Sequence, residues 1–347
     1  MKVTTHKFGN LPDGREAKIF HFESKGGLTI KITNYGGIIT SIEMPDRYGK
    51  PDEITAGFPV LEGYINDHPY FGAIVGRYAN RIAKGRFRLK NTEYHLPINN
   101  GPNHLHGGLE GFDKKLWDYR IEESSSSASL ELSYLSPDME EGYPGDVTAK
   151  VTYILHDSNT IEIRYEASSD AETHVNLTNH TYFNLGGFRS EIYDHHLQMY
   201  SDLYLDMDKD NIPTGRLLPT GDSLLDFCHE TLLDEPVKKT SGGLDHCFVL
   251  SQARDYTRPV AWLSHKPTGR KVTVYTSQPS IQVYSGNSLT GELTGHNGAK
   301  YSKHSAICLE TQHYPDSPNH PEFPSTLLKA GDKYEYEAKL VFETLSE

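Results

Sequence analysis

The amino-acid sequence predicts an all-β protein built as a large antiparallel β-sandwich, and three observations favour this fold class. Segments in which apolar and polar residues alternate recur along the whole chain, and this period of two residues is typical of a strand with one buried face. Turn-forming residues separate the segments. The sequence lacks an amphipathic pattern long enough for a helix of three turns, and its best helical candidate is a short turn at residues 223–227.

The alternating segments are rich in Ile, Val, Thr and Tyr, residues that favour extended backbone. They lie at residues 17–22, 28–33, 38–44, 130–134, 147–155, 160–167, 271–275, 281–284 and 333–342. Turns are expected at Asp13-Gly14, Gly26-Gly27, Asp157-Ser158-Asn159 and Gly331-Asp332. Because a short polar loop separates segments 147–155 and 160–167, these two predict a β-hairpin.

The serine run at residues 124–127 could be a linker or the tip of a hairpin. Strand-like segments flank it closely on both sides, which favours the hairpin tip. No shift of composition divides the chain, and no internal repeat is evident. We therefore expect a single domain over residues 1–347, larger than most sandwiches.

Composition narrows the class of ligand. The 22 Tyr and 13 Phe supply apolar area for a core, which excludes a disordered chain. The formal net charge of -13 argues against nucleic acid, whose phosphates bind basic surfaces, and against anionic membranes. No stretch approaches the roughly 18 apolar residues of a membrane span. A neutral small molecule fits this composition best.

Cysteine usage and the N-terminus bear on location. Cys228, Cys247 and Cys308 are odd in number and lack the spacing of zinc ligands, so neither a disulfide framework nor a zinc site is indicated. Residues 1–7 contain no apolar run that resembles a signal peptide. We expect a cytoplasmic protein, a monomer or a homodimer, although a secreted protein whose signal had been removed would read the same way.

The stretch at residues 175–187 carries the first candidate functional residues. In an extended segment Asn176, Thr178 and His180 point to the same side. An amide, a hydroxyl and an imidazole in a row suit a polyhydroxylated ligand, and histidine can exchange a proton near neutral pH. The alternative is a half-buried strand with a polar solvent face, which is ordinary in antiparallel sheets.

Residues 71–82 place Arg77 and Arg81 beside Asn80 and several glycines. A guanidinium offers a rigid fork of donors that can grip a neutral ligand. A surface loop with solvated arginines is the alternative.

The His104-x-His106 pair, with Glu110 four residues further on, has the spacing of the first metal-binding motif of cupins. Ile98 and Trp117 stand where that motif requires glycine, and a second His-containing motif is not apparent downstream. A metal is therefore disfavoured. His106 remains a candidate hydrogen-bonding or proton-carrying group beside Gly-Gly, where a ligand can approach the backbone closely.

Glu310 ends an apolar strand and precedes a proline-rich loop. A carboxylate at such a position can be partly desolvated, which favours general-base chemistry; a structural, salt-bridged glutamate is the alternative. Asp245 is a weaker candidate acceptor for ligand hydroxyls. Nucleophile elbows, P-loops and dinucleotide fingerprints are absent from the sequence. The remaining inventory, histidine plus glutamate, indicates proton transfer on a neutral polar molecule.

Six motifs resemble, in order, those of the aldose 1-epimerases, or galactose mutarotases, and the resemblance spans nearly the whole chain. They are Ala79-Asn80-Arg81-Ile82, Leu105-His106-Gly107-Gly108, Asn179-His180-Thr181-Tyr182-Phe183-Asn184-Leu185, Leu244-Asp245-His246, Tyr275-Thr276-Ser277-Gln278-Pro279 and Leu309-Glu310-Thr311-Gln312. The segment at residues 136–145 also resembles a family segment, with Met139 where glycine is expected.

The resemblance implies a β-supersandwich that interconverts the α- and β-anomers of a free hexose such as galactose or glucose. Its implied catalytic residues are Glu310 as base, His180 as acid and His106 near the ring oxygen. Its implied sugar-binding residues are Arg81, Asp245, Asn80 and Gln278. Arg77 does not fall on a catalytic position, and neither a cofactor nor a metal is implied. Trp117 or a tyrosine is expected to pack on the apolar face of the sugar.

Three rival functions follow from the same residues. A hexose-6-phosphate 1-epimerase of this fold would need a basic cluster for the phosphate, which the acidity of the chain disfavours. A non-catalytic carbohydrate-binding protein would keep the pocket without needing both Glu310 and His180. A glycosidase would require two carboxylates across the bond, and Asp245 is the distant candidate for the second.

Overall fold

A computed structural model describes residues 1–66, 68–250 and 256–346. Strands dominate the described part of the chain. They are β1 Lys2–Asn10, β2 Glu16–Glu23, β3 Thr29–Thr33, β4 Ile39–Pro45, β5 Pro51–Glu53, β6 Ile74–Val75, β7 Arg81–Ile82, β8 Arg86–Leu89, β9 Thr92–His95, β10 His104–Leu105, β11 Asp118–Glu123, β12 Ser127–Ser136, β13 Val147–His156, β14 Thr160–Ser169, β15 Thr173–His174, β16 Thr178–Asn179, β17 Tyr182–Phe183, β18 His196–Met199, β19 Leu203–Met207, β20 Pro213–Pro219, β21 Thr231–Leu232, β22 Asp245–Val249, β23 Ala261–His265, β24 Arg270–Thr276, β25 Ser280–Tyr284, β26 Ile307–Gln312, β27 Leu327–Leu328 and β28 Lys333–Thr344.

In the residues that the structure describes, three large antiparallel sheets form the architecture. A five-stranded sheet runs β1-β2-β3-β4-β5, a nine-stranded sheet runs β11-β12-β13-β14-β28-β24-β23-β18-β21, and a six-stranded sheet runs β17-β26-β25-β22-β19-β20. Two-stranded pairs, β10-β7, β15-β27, β16-β6 and β8-β9, complete the strand pairing of the described residues. This arrangement confirms the predicted all-β, antiparallel fold class.

The alternation of the sequence translates directly into burial. In β13 every second side chain from Val147 to Leu155 is buried, as expected for a strand with one face on a core. Strand β13 pairs with β14 from Val147↔Ser169 to His156↔Thr160, so the predicted hairpin is confirmed. The serine run joins β11 to its antiparallel partner β12, which confirms a hairpin tip.

One large hydrophobic core joins the three sheets. The five-stranded sheet contributes Phe20 and Ile42, the nine-stranded sheet Leu130 and Val272, and the six-stranded sheet Ile281 among others. The core draws on residues from both halves of the chain, and the single domain over residues 1–347 stays a prediction. Apolar area removed from water in this way is the dominant stabilising term in folding.

Helices are few and short. The described α-helices are α1 Glu62–Ile65 and α2 Asp234–Lys239. The expected turn at residues 223–227 contains no helix, and the longest described helix lies at α2 instead. Acidic residues begin α2 and lysines end it, an order that complements the helix dipole. No helix in the described residues is long and apolar enough to cross a membrane.

Candidate active site

The register of the six-stranded sheet gathers polar side chains on one face. Gln282 of β25 lies directly opposite Glu310 of β26, and Asp245 of β22 lies opposite Tyr284 of β25. Because side chains alternate along a strand and partners across a ladder share a face, Glu310, Gln282, Asp245 and Tyr284 all project to the same side. These four residues come from three strands that are separate in the sequence, and antiparallel pairing brings them together.

His180 reaches the same face from the other side of β26. Strand β17 pairs Tyr182 with Cys308, and continuing this register by two residues sets His180 opposite Glu310. The main chain of His180 is held on both sides, because its N–H donates to the carbonyl of Ala73 at 2.9 Å and its carbonyl accepts from Gly72 at 3.0 Å. The position of the imidazole is therefore set by backbone pairing rather than by a mobile loop.

Glu310 and His180 form a close pair. His180 Nε2 lies 3.5 Å from Glu310 Oε2, and the two side chains are 5% and 2% exposed, respectively. Neither Glu310 Oε2 nor His180 Nδ1 has a hydrogen-bond partner among the described residues. Buried polar atoms without partners are costly unless a ligand or water completes them. The pair is thus arranged to receive polar groups of a bound molecule.

The two groups titrate in opposite directions. Burial raises the pKa of the Glu310 carboxyl well above its ordinary value, the negative Asp245 adds to the increase, and Arg81 opposes it. Burial lowers the pKa of the His180 imidazole to about 3, and the nearby His68 contributes. The Glu310 carboxylate binds a proton more tightly than usual, which suits a general base. The His180 imidazolium releases its proton more readily than usual, which suits a general acid acting on the same substrate.

His106 presents a donor to the same pocket. The backbone N–H of Asn80 donates to His106 Nδ1 at 3.1 Å, so in the neutral ring Nε2 carries the proton. Burial, together with His180 and Arg81, lowers the pKa of His106 well below its usual range, which keeps the ring neutral. The turn that follows requires glycine, since a Cβ at Gly107 would lie 1.9 Å from the carbonyl oxygen of Gly76.

Arg81 and Asp245 face each other across the pocket with 4.0 Å between Arg81 Nη1 and Asp245 Oδ2. Arg81 Nε donates to Asn100 Oδ1 at 3.1 Å. Asn80 lines the pocket beside Arg81, and its side-chain oxygen accepts the backbone N–H of Arg81 at 2.9 Å. Because 4.0 Å is longer than a hydrogen bond, the guanidinium and the carboxylate both keep hydrogen-bonding capacity for hydroxyl groups of a ligand.

The cavity that these residues line has a volume of about 680 Å³. Three tyrosines, Tyr70, Tyr182 and Tyr284, line it with them. Trp117 is 1% exposed and donates its indole N–H to the carbonyl of Phe112. The expectation that Trp117 could pack on a sugar is therefore wrong, and the aromatic candidates are the tyrosines.

Gln278 does not line the cavity. Its side chain is fully buried, and Nε2 donates to the Tyr334 hydroxyl at 3.1 Å and to the Leu177 carbonyl at 3.5 Å. This position does not fit the predicted sugar contact at Gln278; Gln282 lines the cavity instead and donates to Asp245 Oδ1 at 2.6 Å. The alternation of β25 is the signal that could have found it, since Gln282 and Tyr284 share one face.

The two glutamines should respond oppositely to truncation. Gln282→Ala removes the amide that positions Asp245, so we expect kcat/KM to fall by about tenfold or more with little change in Tm. Gln278→Ala removes a buried amide that donates to the Tyr334 hydroxyl and the Leu177 carbonyl, so we expect a loss of about 1–3 kcal/mol of stability with near-normal kcat/KM. Thermal unfolding and initial rates on both variants check this. Equal losses of activity would show that Gln278 also acts in the site.

Asn176 and Thr178 make hydrogen bonds within the fold and do not line the cavity. Asn176 donates to the carbonyl of Ala79 at 3.1 Å and accepts from the N–H of His313 at 3.0 Å. Thr178 donates to the carbonyl of Thr311 at 2.8 Å. Of the predicted polar row, His180 alone lines the cavity. Both proposed interpretations of this row, a ligand-binding face and a solvent face, are wrong for Asn176 and Thr178.

Arg77 is also structural. Its guanidinium is buried and donates to backbone carbonyls of residues 136–145 and to the Ser136 hydroxyl at 2.6 Å. Glu141 in that loop accepts from the N–H groups of Leu109 and Glu110 at 2.9 and 3.0 Å. Arg77 therefore supports the loop that packs on the segment following His106, and it is not a solvated surface arginine.

Within the described part of the chain, two groups of side chains have ligand atoms close enough to hold a metal ion: His106, His180 and Glu310, and Asp194, His195 and His265. In each group, one ring nitrogen of one histidine already accepts a hydrogen bond from a backbone N–H. His106 Nδ1 accepts from Asn80, and His195 Nε2 accepts from Leu185. Metal binding at the other nitrogen would require an imidazolate, so both donor sets favour hydrogen bonding.

His104, the first histidine of the cupin-like spacing, uses both its ring nitrogens within the fold. Nδ1 lies 2.8 Å from the Pro97 carbonyl and Nε2 lies 2.7 Å from the Tyr143 hydroxyl. It does not line the cavity with His106.

Fold and site together define an all-β protein whose polar pocket holds a carboxylate–imidazole pair for proton transfer. Comparison with known proteins names the family. The family model described as aldose 1-epimerase matches residues 18–340, and the chain belongs to the aldose 1-epimerase family. It is accordingly an isomerase that acts on free aldose sugars.

Two curated relatives match almost end to end. Galactose mutarotase of Sus scrofa is 44% identical over 345 residues, covering 99% of this chain and 99% of that protein. Aldose 1-epimerase of Escherichia coli strain K12 is 35% identical over 332 residues, covering 93% and 94%. Among solved structures, galactose 1-epimerase from Lactobacillus acidophilus is 28% identical with a TM-score of 0.86, covering 99% of this chain and 98% of that one.

Proposed function

We propose that this protein interconverts the α- and β-anomers of free hexoses such as D-galactose and D-glucose, with Glu310 as general base and His180 as general acid. His106 donates through Nε2–H near the ring oxygen. Arg81, Asp245 and Asn80 bind sugar hydroxyls, and Gln282 orients Asp245. The observation that carries the assignment is the buried Glu310–His180 pair, 3.5 Å apart in the wall of the cavity.

Ring opening needs two proton transfers, one from the hydroxyl oxygen on C1 and one to the ring oxygen O5, and both oxygens are bonded to C1. Ionised Glu310 removes the proton of the C1 hydroxyl while protonated His180 gives its proton to the ring oxygen. The C1–O5 bond breaks and C1 becomes an aldehyde. Rotation about C1–C2 turns the other carbonyl face toward O5. Glu310 then returns a proton to the carbonyl oxygen, His180 recovers one from O5, and the ring closes as the other anomer.

The direction of each pKa shift supports these roles. After ring opening the proton sits on Glu310 and His180 is neutral, which is the distribution that burial favours. Burial therefore makes both transfers easier than they would be for the same groups in water. Each positioned group contributes about 10²–10⁴-fold, so the pair suffices without a covalent intermediate.

Polarimetry tests the proposal. Freshly dissolved α-D-galactose and α-D-glucose should reach their equilibrium rotation faster in proportion to protein concentration, above the spontaneous rate in buffer. A pure carbohydrate-binding protein would bind the sugar without any such acceleration, and that result would refute the assignment.

Charge in the cavity favours neutral sugars over the 6-phosphates. Among the described residues that line it, Arg81 is the one lysine or arginine, against the carboxylates of Asp208, Asp245 and Glu310. Like charges brought together cost several kcal/mol, so we expect kcat/KM for D-galactose to exceed that for its 6-phosphate by about 100-fold or more. Parallel rate measurements on both sugars decide it, and comparable values would favour the phosphate epimerase.

The expected monomer or homodimer and the expected cytoplasmic location stay predictions. Size-exclusion chromatography with light scattering tests the first of these.

A further inference from the structure

We propose that Tyr70 is a positioning residue whose ring orients the imidazoles of His106 and His180 and keeps water away from them. The inference rests on the proposed function, because it assigns Tyr70 a task in the same acid–base site. Tyr70 acts through the two histidines and is not itself assigned a proton transfer.

The three rings contact one another. Tyr70 meets His106 edge-on with 4.6 Å between ring centroids and lies nearly parallel to His180 at 6.0 Å, with 19° between the planes. His106 and His180 are 5.2 Å apart at 75°. Aromatic pairs prefer these edge-on and offset geometries at such separations. Tyr70 therefore contacts both imidazoles at once and limits how either can turn.

The backbone ties Tyr70 to His180. The Tyr70 N–H donates to the carbonyl of His68 at 2.9 Å, and the Tyr70 carbonyl accepts from Ala73 at 3.0 Å. Gly72 and Ala73, which follow closely in the chain, make the two main-chain hydrogen bonds to His180 described above. The ring of Tyr70 is thus placed relative to His180 by short covalent and hydrogen-bonded links.

The conformation of Tyr70 is unfavourable for an aromatic residue. Its φ is 59°, in the left-handed region that costs a side chain about 1–2 kcal/mol. Glycine would occupy it without cost. Residues held in such conformations cluster at functional sites, because surrounding structure compensates the strain. An aromatic ring at this position, in the wall of the cavity, indicates that the ring itself is needed.

By excluding water, the Tyr70 ring affects proton transfer by the two histidines. Burial is the largest cause of the lowered pKa of both His106 and His180. The groups that face His180 are Glu310, His106, His68, Tyr70, Tyr182 and Tyr284. Removing the Tyr70 ring would admit water on one side of this set, so the pKa of His180 would rise toward that of a solvated imidazole.

Three variants test the inference: Tyr70→Gly, Tyr70→Phe and Phe188→Ala. Tyr70→Gly removes both the ring and the backbone strain, so it should fold, while kcat falls by about 10–100-fold because the acid is misplaced. Tyr70→Phe keeps the ring and should restore the rate to within a few-fold of wild type. Phe188 is the matched control, since it also has a positive φ, of 57°, but packs on Tyr301 outside the cavity. Phe188→Ala should leave kcat unchanged.

Titration of His180 by NMR gives a readout that does not depend on turnover. The pKa of His180 should rise in Tyr70→Gly and stay low in Tyr70→Phe. An unchanged kcat and an unchanged His180 titration in Tyr70→Gly would overturn the inference. A loss in Tyr70→Phe equal to that in Tyr70→Gly would also overturn it, because the hydroxyl would then be responsible. Absence of epimerase activity in the wild type would refute the proposed function, while the titrations would still decide the role of Tyr70.

Discussion

Replacing Glu310 by glutamine is expected to lower kcat for anomer interconversion by about 10²–10⁴-fold. The amide keeps the shape of the carboxyl but cannot remove the proton of the C1 hydroxyl. Because β26 is buried along its whole length and paired with β25 and β17, the substitution should not disturb the strand. Polarimetric rates on α-D-galactose, corrected for the spontaneous reaction, measure the loss.

The same variant should be at least as stable as wild type. A carboxyl whose pKa is raised in the folded state binds its proton more tightly there than in the unfolded chain, so stability is lost as the pH rises through that range. The amide that replaces the Glu310 carboxyl carries no charge to desolvate, and the Tm of the variant should therefore exceed that of wild type increasingly toward alkaline pH. A rate within tenfold of wild type, in a variant with normal Tm, would remove Glu310 from the mechanism.

Most strands could be predicted from the sequence because their signal is local. Segments such as 147–155 and 160–167 alternate with a period of two, and the structure extends them by one or two residues at most. Helix α2 gave no such signal, since six residues are too few for a helical period. Its acidic start and lysine end are the features that mark it.

The site was predictable in part. The resemblance located Glu310 and His180, but local alternation could not show that their side chains would be 3.5 Å apart, because that distance depends on pairing between β17 and β26. Gln278 and Gln282 are close in the sequence, and only the register across β25 shows which one adjoins Glu310. The structural role of Asn176 could not be predicted, because its hydrogen-bond partners come from loops that are distant in the sequence.

Replacing His180 by asparagine is expected to lower kcat by about 10²–10⁴-fold and to change the shape of the pH profile. In wild type the pair works with one shared proton. Activity should fall at acid pH when the pair gains a second proton, near the His180 pKa of about 3, and at alkaline pH when Glu310 loses the last one above its raised pKa. The two apparent pKa values of this profile belong to the coupled pair rather than to either residue.

Asparagine at position 180 leaves Glu310 as the single titrating member of the pair. The residual rate should then depend on ionised Glu310 alone, so it should rise with pH through the raised pKa and level off, where the wild-type rate declines. The main-chain bonds of residue 180 to Gly72 and Ala73 do not involve its side chain, so the fold should persist, as thermal unfolding can verify. A profile that keeps the wild-type alkaline decline would mean that another group, with His106 the nearest candidate, supplies the proton to the ring oxygen.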